Sequence, residues 1–149
     1  MEALTHFLQQ QKLLQIAPAG GSPWIANVYM GCESPRKLFF IGSTETMYGQ
    51  LLEENGELAF ATAWHDEDNH KNRKGVQGVG RAVVAADEHE IALGVKLHNQ
   101  NYPEFADRIS KDYINDPTNH SKVWVISPTY IKFWNDELYG DDEAAEFHF

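Results

Sequence analysis

The sequence predicts an α+β fold in which strands dominate: a small antiparallel barrel of about six strands with short helices at its ends. Six segments have the apolar and β-branched composition of strands, whereas only three short segments space their apolar residues as a helix does. Strands and helices do not alternate regularly, which argues against a doubly wound parallel sheet. No linker or internal repeat divides the 149 residues, so we expect one domain over residues 1–149.

The predicted strands are short apolar runs bounded by turn-forming residues. They are residues 13–17, 24–30, 37–41, 57–64, 75–86 and 122–134. The Pro-Ala-Gly-Gly-Ser-Pro segment at 18–23 joins the first two strands as a hairpin. The last strand is interrupted at Ser127-Pro128, because proline has no N–H to donate to a neighbouring strand.

Three helices accompany these strands. Leucine and phenylalanine at helical spacing predict a helix over residues 3–12. A second helix, over residues 47–55, crosses between the third and fourth strands. Asp87 caps a third helix, which Pro103 ends because proline cannot continue the backbone hydrogen bonding.

The fifth predicted strand contains a cluster of three glycines, Gly75, Gly78 and Gly80. Glycine weakens a strand, so the cluster indicates a bulge, a bend of the barrel or a backbone that lies close to something flat. A bound planar ring would satisfy the last of these alternatives.

Composition excludes several classes of partner. Twelve basic and 22 acidic residues give a net charge of −10, which repels nucleic acid and anionic membrane surfaces. No apolar run approaches the roughly 20 residues that span a bilayer. The only cysteine, Cys32, excludes an intrachain disulfide, and the N-terminus has no secretory pattern, so we expect a soluble cytoplasmic protein.

Acidic residues gather near the C-terminus. From about residue 136 they are Asp136, Glu137, Asp141, Asp142, Glu143 and Glu146. Such runs are most often solvated, so we expect an acidic tail. Phe147 and Phe149 end it and are placed to dock it on a neighbouring subunit.

The third predicted strand ends at Gly42 in a hydroxyl-rich turn that contains Ser43, Thr44 and Thr46. The first turn of the following helix leaves backbone N–H groups unpaired and carries the positive end of the helix dipole, so a phosphate there meets donors aimed at it. Serine and threonine at this position also serve as simple helix caps. The residues alone leave both interpretations open.

Other chemistry receives little support. Residues 64–70 gather two imidazoles and three carboxylates, but His65 and His70 are five apart, which suits no helix face, and no cysteine is near. We therefore predict no metal site. No arrangement of Ser, Cys, His and Asp indicates a nucleophile, so no catalytic residue is assigned.

Several strings, in order, resemble the pyridoxamine phosphate oxidase-like superfamily of flavin-binding split barrels. They are Gly-Ser-Pro-Trp-Ile-Ala-Asn-Val-Tyr at 21–29, Leu-Phe-Phe-Ile-Gly-Ser-Thr at 38–44, Leu-Leu-Glu-Glu-Asn-Gly-Glu-Leu-Ala-Phe at 51–60, Gly-Val-Gln-Gly-Val-Gly-Arg-Ala at 75–82 and Val-Ile-Ser-Pro-Thr-Tyr-Ile-Lys-Phe-Trp at 125–134. The resemblance covers nearly the whole chain.

This resemblance implies a six-stranded split barrel that forms a homodimer and holds one flavin mononucleotide (FMN) in each of two equivalent clefts between the subunits. The phosphate would lie at the turn after the third strand, and the ring would lie against the second and fifth strands. The cofactor-binding residues implied by position are Asn27, Ser43, Thr44, Thr46, Tyr48, Lys74 and Gln77.

The implied activity is FMN-dependent electron transfer between a reduced nicotinamide and a small acceptor. Ala26 and Tyr48 stand where flavin-holding members commonly place Arg and Lys, which removes two charge-assisted phosphate contacts. A non-catalytic module that binds flavin or another small ligand is therefore the alternative. The acidic segment after Trp134 replaces the basic motif of pyridoxamine phosphate oxidases, so oxidation of that substrate is not expected.

Overall fold

The computed structural model describes all residues, 1–149. Its strands are Leu13–Pro18 (β1), Ala26–Ser34 (β2), Lys37–Ser43 (β3), Glu57–His65 (β4), Arg73–Val84 (β5), Ser121–Asn135 (β6) and Ala144–His148 (β7). Its α-helices are Glu2–Gln10 (α1), Met47–Glu54 (α2), Glu88–Asn101 (α3), Lys111–Asn115 (α4) and Asp136–Tyr139 (α5), with a 3-10 turn at Pro103–Phe105. No helix is long and apolar enough to cross a membrane.

The strands form one antiparallel sheet that closes on itself. Its order is β3-β2-β1-β4-β5-β6-β7, and an additional pairing of β3 with β6 closes the first six strands into a barrel. The long strand β6 makes closure possible, because its first half pairs with both β3 and β5 while its second half pairs with β5 and β7. The predicted six-stranded antiparallel barrel with short helices is confirmed.

The main core fills the barrel. Phe40, Phe133 and Trp124 are its largest fully or nearly fully buried side chains, and the Phe40 and Trp124 rings stack with centroids 5.7 Å apart. Helix α1 packs its buried apolar face on the end of the barrel near Phe133. A second core lies outside the barrel, where α3 and α4 cover the outward-facing Phe39 of β3 and its neighbours on β6.

The glycine cluster of β5 serves two purposes within the barrel. Gly78 faces its register partner Phe60 inside the core, and a Cβ at Gly78 would overlap the Phe60 ring. Gly80 lies at a register shift where β5 passes Pro128 of β6, and a bulge was one of the three alternatives that the sequence left open. The flat object against Gly78 is therefore the protein's own phenylalanine.

The C-terminal segment is ordered structure, and its acidic residues are exposed except for the half-buried Asp136. Residues 136–139 form α5, and β7 pairs with residues 130–134 of β6. Phe147 and Phe149 pack on the core of their own barrel, and the Arg36 guanidinium lies 4.9 Å from the Phe149 ring centroid. Packing these two phenylalanines on the core stabilises the ordered segment despite the surrounding acids, because it removes apolar surface from water.

Candidate functional site

The hydroxyl-rich turn lies where β3 ends and α2 begins. Thr46 is the N-cap of α2, and its hydroxyl accepts a hydrogen bond from the Gly49 N–H at 3.1 Å while donating to the Ser43 carbonyl at 2.8 Å. The Ser43 hydroxyl accepts from the Glu45 N–H at 3.1 Å. The Thr44 N–H and hydroxyl both donate to the His120 carbonyl, next to the Ser43–Ser121 pair of β3 and β6. Thr46 therefore caps the helix, which was one of the two interpretations that the sequence left open.

The turn retains polar donors but lacks a dedicated cation. The backbone N–H groups of Met47 and Tyr48 donate no hydrogen bond within the protein, so the start of α2 still presents two free donors. Glu45 lies beside them and pairs with His120 at 3.4 Å. Lys122 donates instead to the Ile114 carbonyl at 3.0 Å. A phosphate here would meet aligned amide dipoles, with the Glu45 carboxylate beside them.

Tyr48 occupies the position of the missing lysine as a packing residue. Its ring meets Phe40 edge-on with centroids 6.0 Å apart, and its hydroxyl lies against Gly42, where a Cβ would overlap it. Trp124 donates its indole N–H to the Gly42 carbonyl at 3.0 Å, which fixes the start of the turn from inside the barrel.

A groove runs along the outer face of β1, β4 and β5. It consists of three adjoining cavities of about 480, 430 and 480 Å³; the first two share Gln15, Ala61 and Gln77, and the second and third share Ala17, Ala59 and Val79. Its floor is nearly flat, because the side chains that face outward from β4 are alanines (Ala59, Ala61, Ala63) and Gly75 lies beside them on β5. Such a floor accepts a planar ring.

A row of polar side chains crosses this apolar face. Gln15 on β1 is the register partner of Asn27 on β2, and their side-chain amides are hydrogen-bonded at 3.0 Å. The row continues from Gln15 through Ala61 to Gln77 on β5 and then to Lys132 on β6. The predicted ring contacts Asn27 and Gln77 therefore share one row, three strand spacings or roughly 14 Å apart.

Charged and aromatic residues surround one end of the groove, which we call the mouth: Trp64, His65, Arg73, Lys74, Trp134 and Asp136. Lys74 pairs with Glu137 at 2.7 Å, and its ammonium lies 5.0 Å from the Trp64 ring centroid. Arg73 donates to Asp136 through both its backbone N–H and its Nε at 3.0 Å. These hydrogen bonds hold the pKa values of Asp136 and Glu137 below the ordinary range of carboxyls.

The structure divides the predicted site residues into two sets. Lys74 and Gln77 line the groove, and Asn27 adjoins it through Gln15. Ser43 pairs with Ser121 at the start of β6, whereas Gln77 pairs with Lys132, 11 residues further along that strand. That separation is roughly 35 Å of extended strand. Within one chain, the turn with Ser43, Thr44, Thr46 and Tyr48 is therefore distant from the part of the groove that Lys74 and Gln77 line.

Two features of the site cannot be recognised from local sequence patterns. Gln15 joins the polar row only through strand pairing, and His120 reaches Glu45 from 75 positions away. The alanines of β4 are visible in the sequence, but only the register with β1 and β5 shows that they form one floor.

The fold places this chain among known structures. No protein-family model and no curated protein matches it. A heme binding protein from Mycobacterium smegmatis superposes with a TM-score of 0.74 and 16% identity over 99% of this chain, which spans only 56% of that protein. HutZ, a heme storage protein from Vibrio cholerae, superposes with a TM-score of 0.66 and 18% identity over 99% of this chain and 92% of its own length.

A third structure carries the family name. It is a Clostridium acetobutylicum protein related to general stress protein 26 of B. subtilis, of the pyridoxinephosphate oxidase family, with a TM-score of 0.64 and 12% identity over 99% of this chain and 92% of its own. The chain has the split-barrel fold of the pyridoxamine phosphate oxidase-like proteins. The resemblance inferred from the sequence is confirmed at the level of fold.

Proposed function

We propose that this protein binds FMN with its ring on the groove and transfers electrons between a reduced nicotinamide and a small acceptor. The observation that carries the proposal is the flat alanine and glycine floor, crossed by the amides of Gln15 and Gln77. Ligand sites are commonly apolar clefts with a few polar groups that fix orientation, and this groove has that composition.

We further propose that the working form is a homodimer. The turn and the part of the groove lined by Lys74 and Gln77 lie far apart within one chain, so a second copy would bring a turn next to them. Exposed apolar side chains on the outer face, including Ile25, Val79 and Val83, favour association through this side of the barrel. A two-fold arrangement then creates two equivalent composite sites.

The residues have separate roles in this proposal. The alanine floor supports the ring and excludes water from one of its faces, while the amides of Gln15 and Gln77 hydrogen-bond the polar atoms at its edge. The N–H groups at the start of the partner's α2 receive the phosphate. The flavin itself supplies the hydride chemistry when bound, so the chain needs no acid or base of its own.

The test is visible absorbance of the purified protein after incubation with FMN and removal of free ligand, followed by oxidation of NADH or NADPH with FMN-loaded protein. Retained flavin that supports turnover is the expected result. Replacing Ser43, Thr44 and Thr46 together by Ala is expected to release the flavin if the turn holds its phosphate. Retained flavin without turnover would indicate the binding module, and no retained flavin would overturn the proposal.

Haem is a second candidate ligand, and one observation favours it. His65 lines the mouth together with Arg73, Lys74 and two tryptophans, which combines an imidazole ligand, cations for propionates and apolar ring contacts. Two of the similar structures are described as heme proteins. Addition of hemin would then give a Soret band that shifts in His65→Ala, whereas an unchanged spectrum in that variant would exclude His65 as the ligand.

A further inference from the structure

The cations at the mouth of the groove are already paired with acids of the same chain. Arg73 and Lys74 are the only lysine or arginine residues that line this cavity. Arg73 binds Asp136 and Asp142, and Lys74 binds Glu137, so three acids from the C-terminal segment reach the start of β5. An anionic ligand entering the mouth would compete with these carboxylates.

The three ion pairs differ in how firmly they are held. The Asp136 side chain is only 6% exposed and accepts two hydrogen bonds from Arg73. The Asp142 side chain is 88% exposed and makes a single contact, 3.1 Å from the Arg73 Nη2. An ion pair this exposed contributes little stability, because water and salt screen it.

The backbone at Asp142 has an unusual conformation. Asp142 has a φ of 65° and is the only residue other than glycine with a positive φ. It follows Gly140, whose φ is 91°, in a turn that directs the carboxylate toward Arg73. Asp tolerates this left-handed conformation better than most residues, yet the conformation still costs free energy.

We infer that Arg73 is the residue that selects ligands carrying an anionic group, and that Asp142 occupies its guanidinium until such a group displaces it. In this exchange the ligand phosphate or carboxylate takes the place of Asp142 at the outer edge of the guanidinium, while Asp136 stays bound to Nε and holds Arg73 in position. The guanidinium fork suits either anion, since it donates two parallel N–H groups.

This inference rests on the proposed function, and it names the chemistry of the ligand's charged group. The group has two sources: the phosphate of the flavin, which Arg73 would share with the N–H groups of the partner's α2, or the carboxylate of a second substrate. The experiment therefore has two arms. The first compares the affinities of FMN and riboflavin, and the second compares those of nicotinate and nicotinamide for the FMN-loaded protein.

The informative variants are Arg73→Gln and Asp142→Asn, with Asp141→Asn as the matched control. Asp141 has the same charge and an exposed position next to Asp142, but it makes no ion pair or hydrogen bond. Asparagine also accepts the left-handed backbone, so Asp142→Asn removes the charge without new strain. Arg73→Lys keeps the charge that faces Asp136, and serves if the glutamine variant does not fold.

In at least one arm, we expect Arg73→Gln to lower the ratio of the affinity for the anionic ligand to that for the neutral ligand, which we call the preference, by about tenfold. Loss of a charge-assisted hydrogen bond has an effect of this size. Asp142→Asn should raise that preference by about threefold, the scale of an exposed ion pair, and Asp141→Asn should leave it nearly unchanged. The arm that responds identifies the source of the anion.

Two results would overturn the inference. In the first, Arg73→Gln changes the affinities for charged and neutral ligands equally, or not at all, in both arms. In the second, Asp141→Asn raises the preference as much as Asp142→Asn, which would assign the effect to net charge alone. Failure of the wild-type protein to bind any of the four compounds would instead contradict the proposed function, so the two failures are distinguishable.

Discussion

Replacing Gly78 by alanine tests whether the glycine cluster serves the core or a ligand. Gly78 faces inward, and a Cβ there would come under 3.0 Å from three atoms of the Phe60 ring, which is 3% exposed. The ring has little room to move, and overpacking a core costs about 1–3 kcal/mol. We expect Gly78→Ala to lower the free energy of unfolding by that amount and to leave flavin affinity unchanged.

The assay is urea denaturation followed by tryptophan fluorescence, with a double-mutant cycle. Phe60→Leu removes the ring atoms that collide, so the loss in the double variant should be smaller than the sum of the single losses by about 1 kcal/mol or more. Gly20→Ala is the matched control, because its Cβ would meet Asn55 at an ordinary 3.5 Å. Strict additivity, or a Gly78→Ala variant as stable as the wild type, would refute the packing assignment.

Three other changes test different parts of the structure. Trp124→Phe should lower the free energy of unfolding by about 2–4 kcal/mol, measured by urea denaturation, because the Gly42 carbonyl loses its buried donor and a cavity remains. Hydrogen bonds from Arg73 lower the folded-state pKa of Asp136, so the stability that Asp136 contributes is present above pH ~4 and is lost as the pH falls through that lowered pKa. In thermal melts at a series of acidic pH values, the Asp136→Asn variant should therefore lose less stability than the wild type as the pH falls. Ala61→Leu should weaken flavin binding by about tenfold or more in fluorescence titrations while changing stability by less than about 0.5 kcal/mol, because the outward-facing side chain would stand where the ring lies.

The barrel could be predicted because its signals are local. Strand patterns, turn residues and the Asp87 cap each act within a few residues, and the structure places a strand or helix at each predicted segment. The register shift at Gly80 matches one of the alternatives left open for the glycine cluster, since glycine in a strand marks a local irregularity. The secondary structure of the C-terminal segment was not predicted, because acidic residues dominate its composition, whereas the partial burial of Phe147 depends on contacts with the barrel core.

The candidate site was harder to predict, because it depends on strand register. Gln77 and Lys74 were identified by position, but only the pairing of β1, β4 and β5 shows that Gln77 shares a row with Gln15. The sequence also gave no indication that Arg73 is paired with Asp142, 69 positions away. Long-range ion pairs and cross-strand rows are properties of the folded chain.

The proposed function requires that a flavin ring lies on the alanine floor of the groove. The most direct test is a titration of isotope-labelled protein with FMN, followed by backbone amide chemical shifts. We expect the largest changes at Ala61, Ala63, Gly75 and Gln77, because a flavin ring current acts on the nearest nuclei. Unchanged shifts at these four residues, with the largest changes elsewhere on the barrel, would contradict it.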